Sequence, residues 1–156
     1  MEKEEIIPNT IYYTTNYETL AEVVKKFAET SNSDILVSDF AKILINNIIN
    51  KSGIVLVSFN EKKELNGCIV LSMHRDKKGD YVWFDFRWIE RSCYKELMRL
   101  FYNKVISSCK EKGVKRLQGM GERCFRVINK YYGAYEIGRI FEVNAEEAKL
   151  KDENEG

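Results

Sequence analysis

Residues 81–112 constrain the fold more than any other stretch. They read Y-V-W-F-D-F-R-W-I-E-R-S-C-Y-K-E-L-M-R-L-F-Y-N-K-V-I-S-S-C-K-E-K. The first half is dense in aromatic and β-branched residues, the composition of a strand packed on both faces. The second half sets Tyr94, Leu97, Met98, Phe101, Val105 and Cys109 on one helical stripe. Glu90, Arg91 and Ser92 lie between the two. A strand feeding directly into a long helix leaves backbone N–H groups free at the junction, and such groups bind anions. A site for a small phosphorylated ligand is expected there.

The elements before this stretch follow from periodicity. Ile11, Tyr12 and Tyr13 read as a short strand. Thr15 with Glu18 three residues later reads as a capping box. It opens a helix with Leu20, Val23, Val24 and Phe27 on its apolar face. Residues 35–37 fit either a linker or a short strand. Ser38 or Asp39 is expected to cap a second helix carrying Phe40, Ile43, Leu44, Asn47 and Ile48. The period then changes. Residues 54–59, 67–74 and 81–89 read as three strands joined by short charged turns, an antiparallel meander.

After the long helix, Lys110, Lys112 and Gly113 supply a helix stop of cations and glycine. Residues 114–117 read as a strand, 122–132 as a short helix and 135–143 as a last strand. The order β-α-α-β-β-β-α-β-α-β predicts an α+β domain: a mixed central sheet with an antiparallel meander and helices on both faces. One domain over residues 1–145 and a charged tail over 146–156 are expected.

Charge narrows the partners. The net charge is +1. The first five residues carry −2 and residues 145–156 carry −3, so residues 6–144 carry +6. A basic body suits an anionic ligand such as a nucleotide cofactor and is too weak a signal for nucleic acid. The four cysteines, Cys68, Cys93, Cys109 and Cys124, show no C-x-x-C spacing, and the chain has one histidine. No metal site is expected, and the thiols read as free and buried in a reducing cytoplasm. No long apolar run points to a membrane.

The element order and several local patterns resemble the GNAT superfamily of acetyl-CoA-dependent N-acetyltransferases, over about residues 11–143. I-Y-Y-T-T-N-Y-E-T-L-A-E-V-V looks like that family's first strand and helix. I-N-K-Y-Y-G-A-Y-E-I-G-R looks like its closing helix and strand, with Gly133 and Gly138 in the matching places. The resemblance implies acetyl-CoA as cofactor and an amine as substrate. Its pyrophosphate loop would map onto Arg91-Ser92-Cys93-Tyr94-Lys95-Glu96. Arg91 matches the pattern, whereas Tyr94 and Glu96 stand where glycine, or glycine and alanine, are usual. Trp88 and Ile89 would hold the thioester oxygen and the pantetheine arm through backbone amides. Asn129 occupies the position of the tyrosine that protonates the leaving thiolate. Tyr131 lies close in sequence and could reach the mouth of a cleft.

Asp85 and Glu122 are the candidate general bases. Asp85, between Phe84 and Phe86, should point to the opposite face from both. Burial would raise its pKa; pairing with Arg87, two residues along, is the structural alternative. Glu122 could equally favour a helix dipole. His74, at the end of the second strand, reads as a solvent-exposed residue beside the following loop.

Two functions emerge. The first is a GNAT-type N-acyltransferase or acyl-CoA-binding protein acting in the cytoplasm. The second is a catalytically inactive protein of the same fold serving a bacteriophage virion or its morphogenesis. The segment C-F-R-V-I-N-K-Y-Y-G-A-Y-E is similar to small GNAT-like phage proteins. That reading implies a protein partner or homodimer, with Tyr, Trp and Arg as the contact residues.

Overall fold

The computed structural model describes residues 6–31 and 35–119, which fall within one compact unit, Met1–Gly119. The short helix and last strand expected beyond residue 120, the charged tail, and hence the expected limit of a single domain, lie outside the described residues.

Among the described residues five strands, β1 (Tyr12–Tyr13), β2 (Gly53–Phe59), β3 (Leu65–Asp76), β4 (Gly79–Ile89) and β5 (Arg116–Gln118), lie in that order across one sheet. The first four are antiparallel, and β5 runs parallel to β4. Helices α1 (Tyr17–Thr30) and α2 (Val37–Ile49) precede the meander, and α3 (Tyr94–Glu111) follows it. The result is the α+β fold with a mixed sheet that the periodicity predicts.

The two faces of the sheet are covered differently. Leu20, Val23 and Phe27 of α1 and Phe40 and Leu44 of α2 pack on Val55, Val57, Cys68 and Val70. Phe27 and Phe40 stack with centroids 3.9 Å apart and hold the helices together over the sheet. Such a pair adds about 0.5–1.5 kcal/mol beyond its buried area. On the other face α3 buries Leu97, Met98, Phe101, Tyr102 and Val105. Gly67 makes that approach possible: a Cβ there would lie 2.7 Å from Phe101 Cε2.

Several local expectations need correction. The α1 cap is Asn16, not Thr15; its Oδ1 accepts from the Thr19 N–H at 3.0 Å, three residues on, as a capping side chain does. The Thr15–Glu18 box therefore does not form. Neither Ser38 nor Asp39 caps α2; Leu36 holds that position without a side-chain bond, and residues 35–37 lead into the helix. Ile43 is exposed, although it falls on the expected stripe. Of the cysteines described, Cys68 is buried and Cys93 and Cys109 are half-buried, so only one thiol is a core residue.

The feature that positions the site is a β-bulge in β4. Leu71 pairs with Phe84 and Val70 pairs with Phe86, which leaves Asp85 without a cross-strand partner. An extra residue in one strand shifts the alternation of side chains by one. Phe84 thus faces α3, with its ring 5.2 Å from Tyr102. Phe86 faces the other way, 5.3 Å from Phe27 and 5.7 Å from Phe40. Asp85 is consequently not opposed to both phenylalanines, as plain alternation requires; it is opposed to Phe84 alone.

Candidate active site

The bulge coincides with a parting of two strands. β5 pairs with β4 only at Tyr81, Val82 and Trp83, through Arg116, Leu117 and Gln118. From residue 84 to 89, β4 runs on with no pairing to β5. An unpaired strand edge offers alternating N–H and C=O groups, which an extended ligand can take up as a strand would. Gly119 follows β5 directly, and a Cβ there would stand 3.0 Å from Phe84 Cδ2, so the chain leaves the sheet pressed against that ring.

Asp85 sits at this opening. Its Oδ2 is buried and has no hydrogen-bond partner among the described residues. Burial is the main influence on the carboxyl and raises its pKa; the nearby Ser72 hydroxyl and the His74 charge pull it partly back. A carboxylate raised in this way takes a proton more readily than an ordinary one. The pairing with Arg87 expected from plain alternation is not formed. Arg87 lies on the α3 face, donating to the Tyr102 hydroxyl and standing 5.1 Å over the Phe84 ring. The bulge separates the two residues onto different faces.

Ser72 and His74 are the neighbours that sequence reasoning missed or undervalued. Ser72 pairs with Trp83 and is buried; Asp85 lies diagonally from it, on the same face. His74 pairs with Tyr81, stacks on its ring at 5.4 Å, and is exposed. It lies on β3, which runs two residues past the strand end expected at His74. Ser72 Oγ and His74 Nε2 are 2.7 Å apart. The available signal was the L-S-M-H run, which puts a serine and a histidine on one face of an otherwise apolar strand. Linking them to Asp85 required the register across the bulge.

The residues expected at the anion site gather at the far end of β4. Trp88 is half-buried, with the Lys26 ammonium of α1 4.4 Å from its ring centroid, and Ile89 ends the strand opposite Gly67. The chain does not pass straight into α3. Arg91, Ser92 and Cys93 form a 3-10 turn first, and neither this turn nor α3 has a side-chain cap. Arg91, Ser92 and Lys95 are exposed, and Tyr94 is half-buried. Two cations beside an uncapped helix start suit a diphosphate. Glu96, exposed in the first turn, opposes it. Cys93 donates to the Glu90 carbonyl at 3.6 Å, and burial followed by the Glu90 charge raises its pKa, which disfavours the thiolate. Glu122, Asn129 and Tyr131 lie outside the described residues.

Among the described residues no group of His, Cys, Asp or Glu could hold a metal ion, and no helix is long and apolar enough to cross a membrane.

No protein-family model matches the chain, and no curated protein matches it. Solved structures do. A predicted acetyltransferase of Clostridium acetobutylicum, determined with acetyl-CoA, has a TM-score of 0.73 at 13% identity over 90% of this chain and 100% of that one. An aminoglycoside 6'-N-acetyltransferase of Acinetobacter baumannii has a TM-score of 0.68 at 7% identity, covering 86% and 96%. A ribosomal-protein-alanine N-acetyltransferase of Brucella melitensis has a TM-score of 0.61 at 11% identity, covering 86% and 98%. The fold is that of the GNAT acetyltransferases.

Proposed function

We propose that the protein is a divergent GNAT-type N-acyltransferase that transfers an acetyl group from acetyl-CoA to an amine. The observation that carries this reading is the position of Asp85. A half-buried carboxyl with a free oxygen stands at the bulge where β4 parts from β5. Fold alone does not carry function; the acid at the opening adds chemistry to it.

The chain's own residues would divide the work as follows. Arg91, Ser92, Cys93, Tyr94 and Lys95 would hold the diphosphate through cations and helix-start amides. Trp88, Ile89 and the unpaired edge of β4 would orient the arm that carries the acyl group, with Asn129 as a further contact. Bound acetyl-CoA supplies an acyl group activated as a thioester. Asp85 Oδ2 would accept the proton of the substrate amine, with Glu122 as the other candidate base and Tyr131 as the candidate acid. Positioning and oriented amides would supply most of the rate.

The variant Arg91→Ala with Lys95→Ala tests the cofactor assignment. Acetyl-CoA affinity should be lost while the thermal midpoint stays near that of the parent, since both side chains are exposed. Unchanged affinity would remove this loop from the reading. The alternative of a virion or morphogenesis protein draws no support from the described residues or from the neighbours above.

A further inference from the structure

Asp85, Ser72 and His74 line one face of the β3–β4 ladder in that order, from a half-buried acid to an exposed imidazole. Ser72 is 4% exposed, so its hydroxyl has few places to turn. One of them is His74 Nε2, at 2.7 Å; another is the neighbouring carboxyl of Asp85. A half-buried base that has taken a proton must return it to solvent before it can act again, and a buried hydroxyl between an acid and an exposed imidazole is suited to carry it.

We propose that Ser72 and His74 form the proton exit of Asp85. This rests on the reading of Asp85 as the general base. Asp85 takes a proton from the amine and becomes a carboxylic acid. The acid gives its proton to Ser72 Oγ as Ser72 gives its own to His74 Nε2. The resulting imidazolium releases the proton on Nδ1 to water. Proton exchange at the two ring nitrogens and a turn of the hydroxyl restore the starting state. One proton leaves the amine, one reaches solvent, and no bond between heavy atoms changes. His74 and Ser72 are positioning and relay residues; Asp85 alone meets the substrate. The exit lies along β3, away from the opened edge of β4, so proton and product need not share a path.

Among the described residues, His74 is the charged neighbour that bears on Asp85. Tyr81 covers the imidazole with its ring. The nearby cation of α1, Lys26, stands over Trp88. Arg87 is on the opposite face, with Tyr102. Arg75, next to His74 in sequence, is engaged with Asp80.

His74 is the only histidine in the chain, so nitrogen and carbon NMR of labelled protein reads it without ambiguity. The relay needs Ser72 to donate to Nε2, which fixes the proton on Nδ1 in the neutral ring. The expected result is the Nδ1–H tautomer in the parent and a reversion toward the Nε2–H form in Ser72→Ala. The Asp85 carboxyl midpoint, followed by its carbon shift, should rise in both Ser72→Ala and His74→Gln. His74 is exposed, so its variant keeps the fold even if the buried Ser72→Ala does not. An Nε2–H tautomer in the parent, or an Asp85 midpoint unmoved in His74→Gln, would overturn the exit. Neither readout requires cofactor or turnover, so failure of acetyl-CoA to bind would strike the enzymatic reading separately.

Discussion

Phe84 and Phe86 stand two residues apart on one strand and face opposite sides of the sheet. Phe84 lies against Tyr102 of α3 and Phe86 against Phe27 and Phe40 of α1 and α2. In a regular strand they would share a face. The residue that reconciles them is Asp85, inserted between Val70 and Leu71 of the neighbouring strand. The same insertion puts both aromatics into core and leaves an acid at the opening. Packing and candidate chemistry are thus set by one bulge.

Removal of Asp85 tests that coupling. Deletion would restore regular alternation while leaving Phe84 opposite Leu71 and Phe86 opposite Val70, so Phe86, Arg87 and Trp88 would keep their faces and only the acid would be lost. The expected outcome is that the deletion variant keeps cooperative thermal unfolding and the near-UV circular dichroism of the parent, as Asp85→Asn should; loss of cooperative unfolding in the deletion variant would contradict the bulge account.

The charge of Asp85 makes a pH prediction. Its pKa is raised by burial, so the protonated form is favoured in the folded state. The stability this contributes is full below the ordinary carboxylate value near 3.8 and is lost as pH rises through the folded value. Asp85→Asn should therefore gain stability over the parent at pH 7–8, and the gap should close in acid. Denaturant melts of both proteins across pH 3–8 would check it.

Asp76 behaves with the opposite sign. The Arg116 guanidinium, bonded to it at 2.9 Å, holds its carboxyl down at about 2. The stability contributed is present above the ordinary value near 3.8 and is lost as pH falls through about 2. Because Arg116 belongs to β5 and Asp76 ends β3, acid should first release β5. Protection of the amides of residues 116–118, taken relative to their intrinsic exchange at each pH, should fall between pH 4 and 2, and Arg116→Ala should show that lower protection already at pH 7.

Gly53 and the thiols give two further checks of the packing. A Cβ at Gly53 would stand 2.6 Å from the Leu71 carbonyl oxygen and 2.8 Å from Asn47 Cβ. Gly53→Ala should cost about 1–3 kcal/mol in denaturant melts, the range of an overpacked site. Burial lifts the Cys68 thiol to about 12, so alkylation at pH 8 should label Cys93 and Cys109 before Cys68, with the difference erased in denaturant.

The sequence carried the architecture because period and length are local. The change from the 3.6 repeat of Leu20, Val23 and Phe27 to the run at residues 54–59 marks α1 and β2 without knowledge of contacts. The Thr15 and Ser38 caps failed because several Ser, Thr, Asn and Asp residues crowd each helix start, and the backbone decides which one caps. The site was legible only in part. Arg91, Lys95 and Asp85 carry chemical signals that survive without structure. The bulge does not, since Phe-Asp-Phe is also a regular alternation. Ser72 became visible only through its register with Trp83 and its distance to His74.

Calorimetric titration of the protein with acetyl-CoA at moderate salt tests the central claim most directly. The account predicts binding tighter than about 100 μM, roughly −5.5 kcal/mol, which Arg91→Ala with Lys95→Ala abolishes. Absence of heat and of any thermal shift at millimolar acetyl-CoA would contradict it and leave a fold kept without its chemistry.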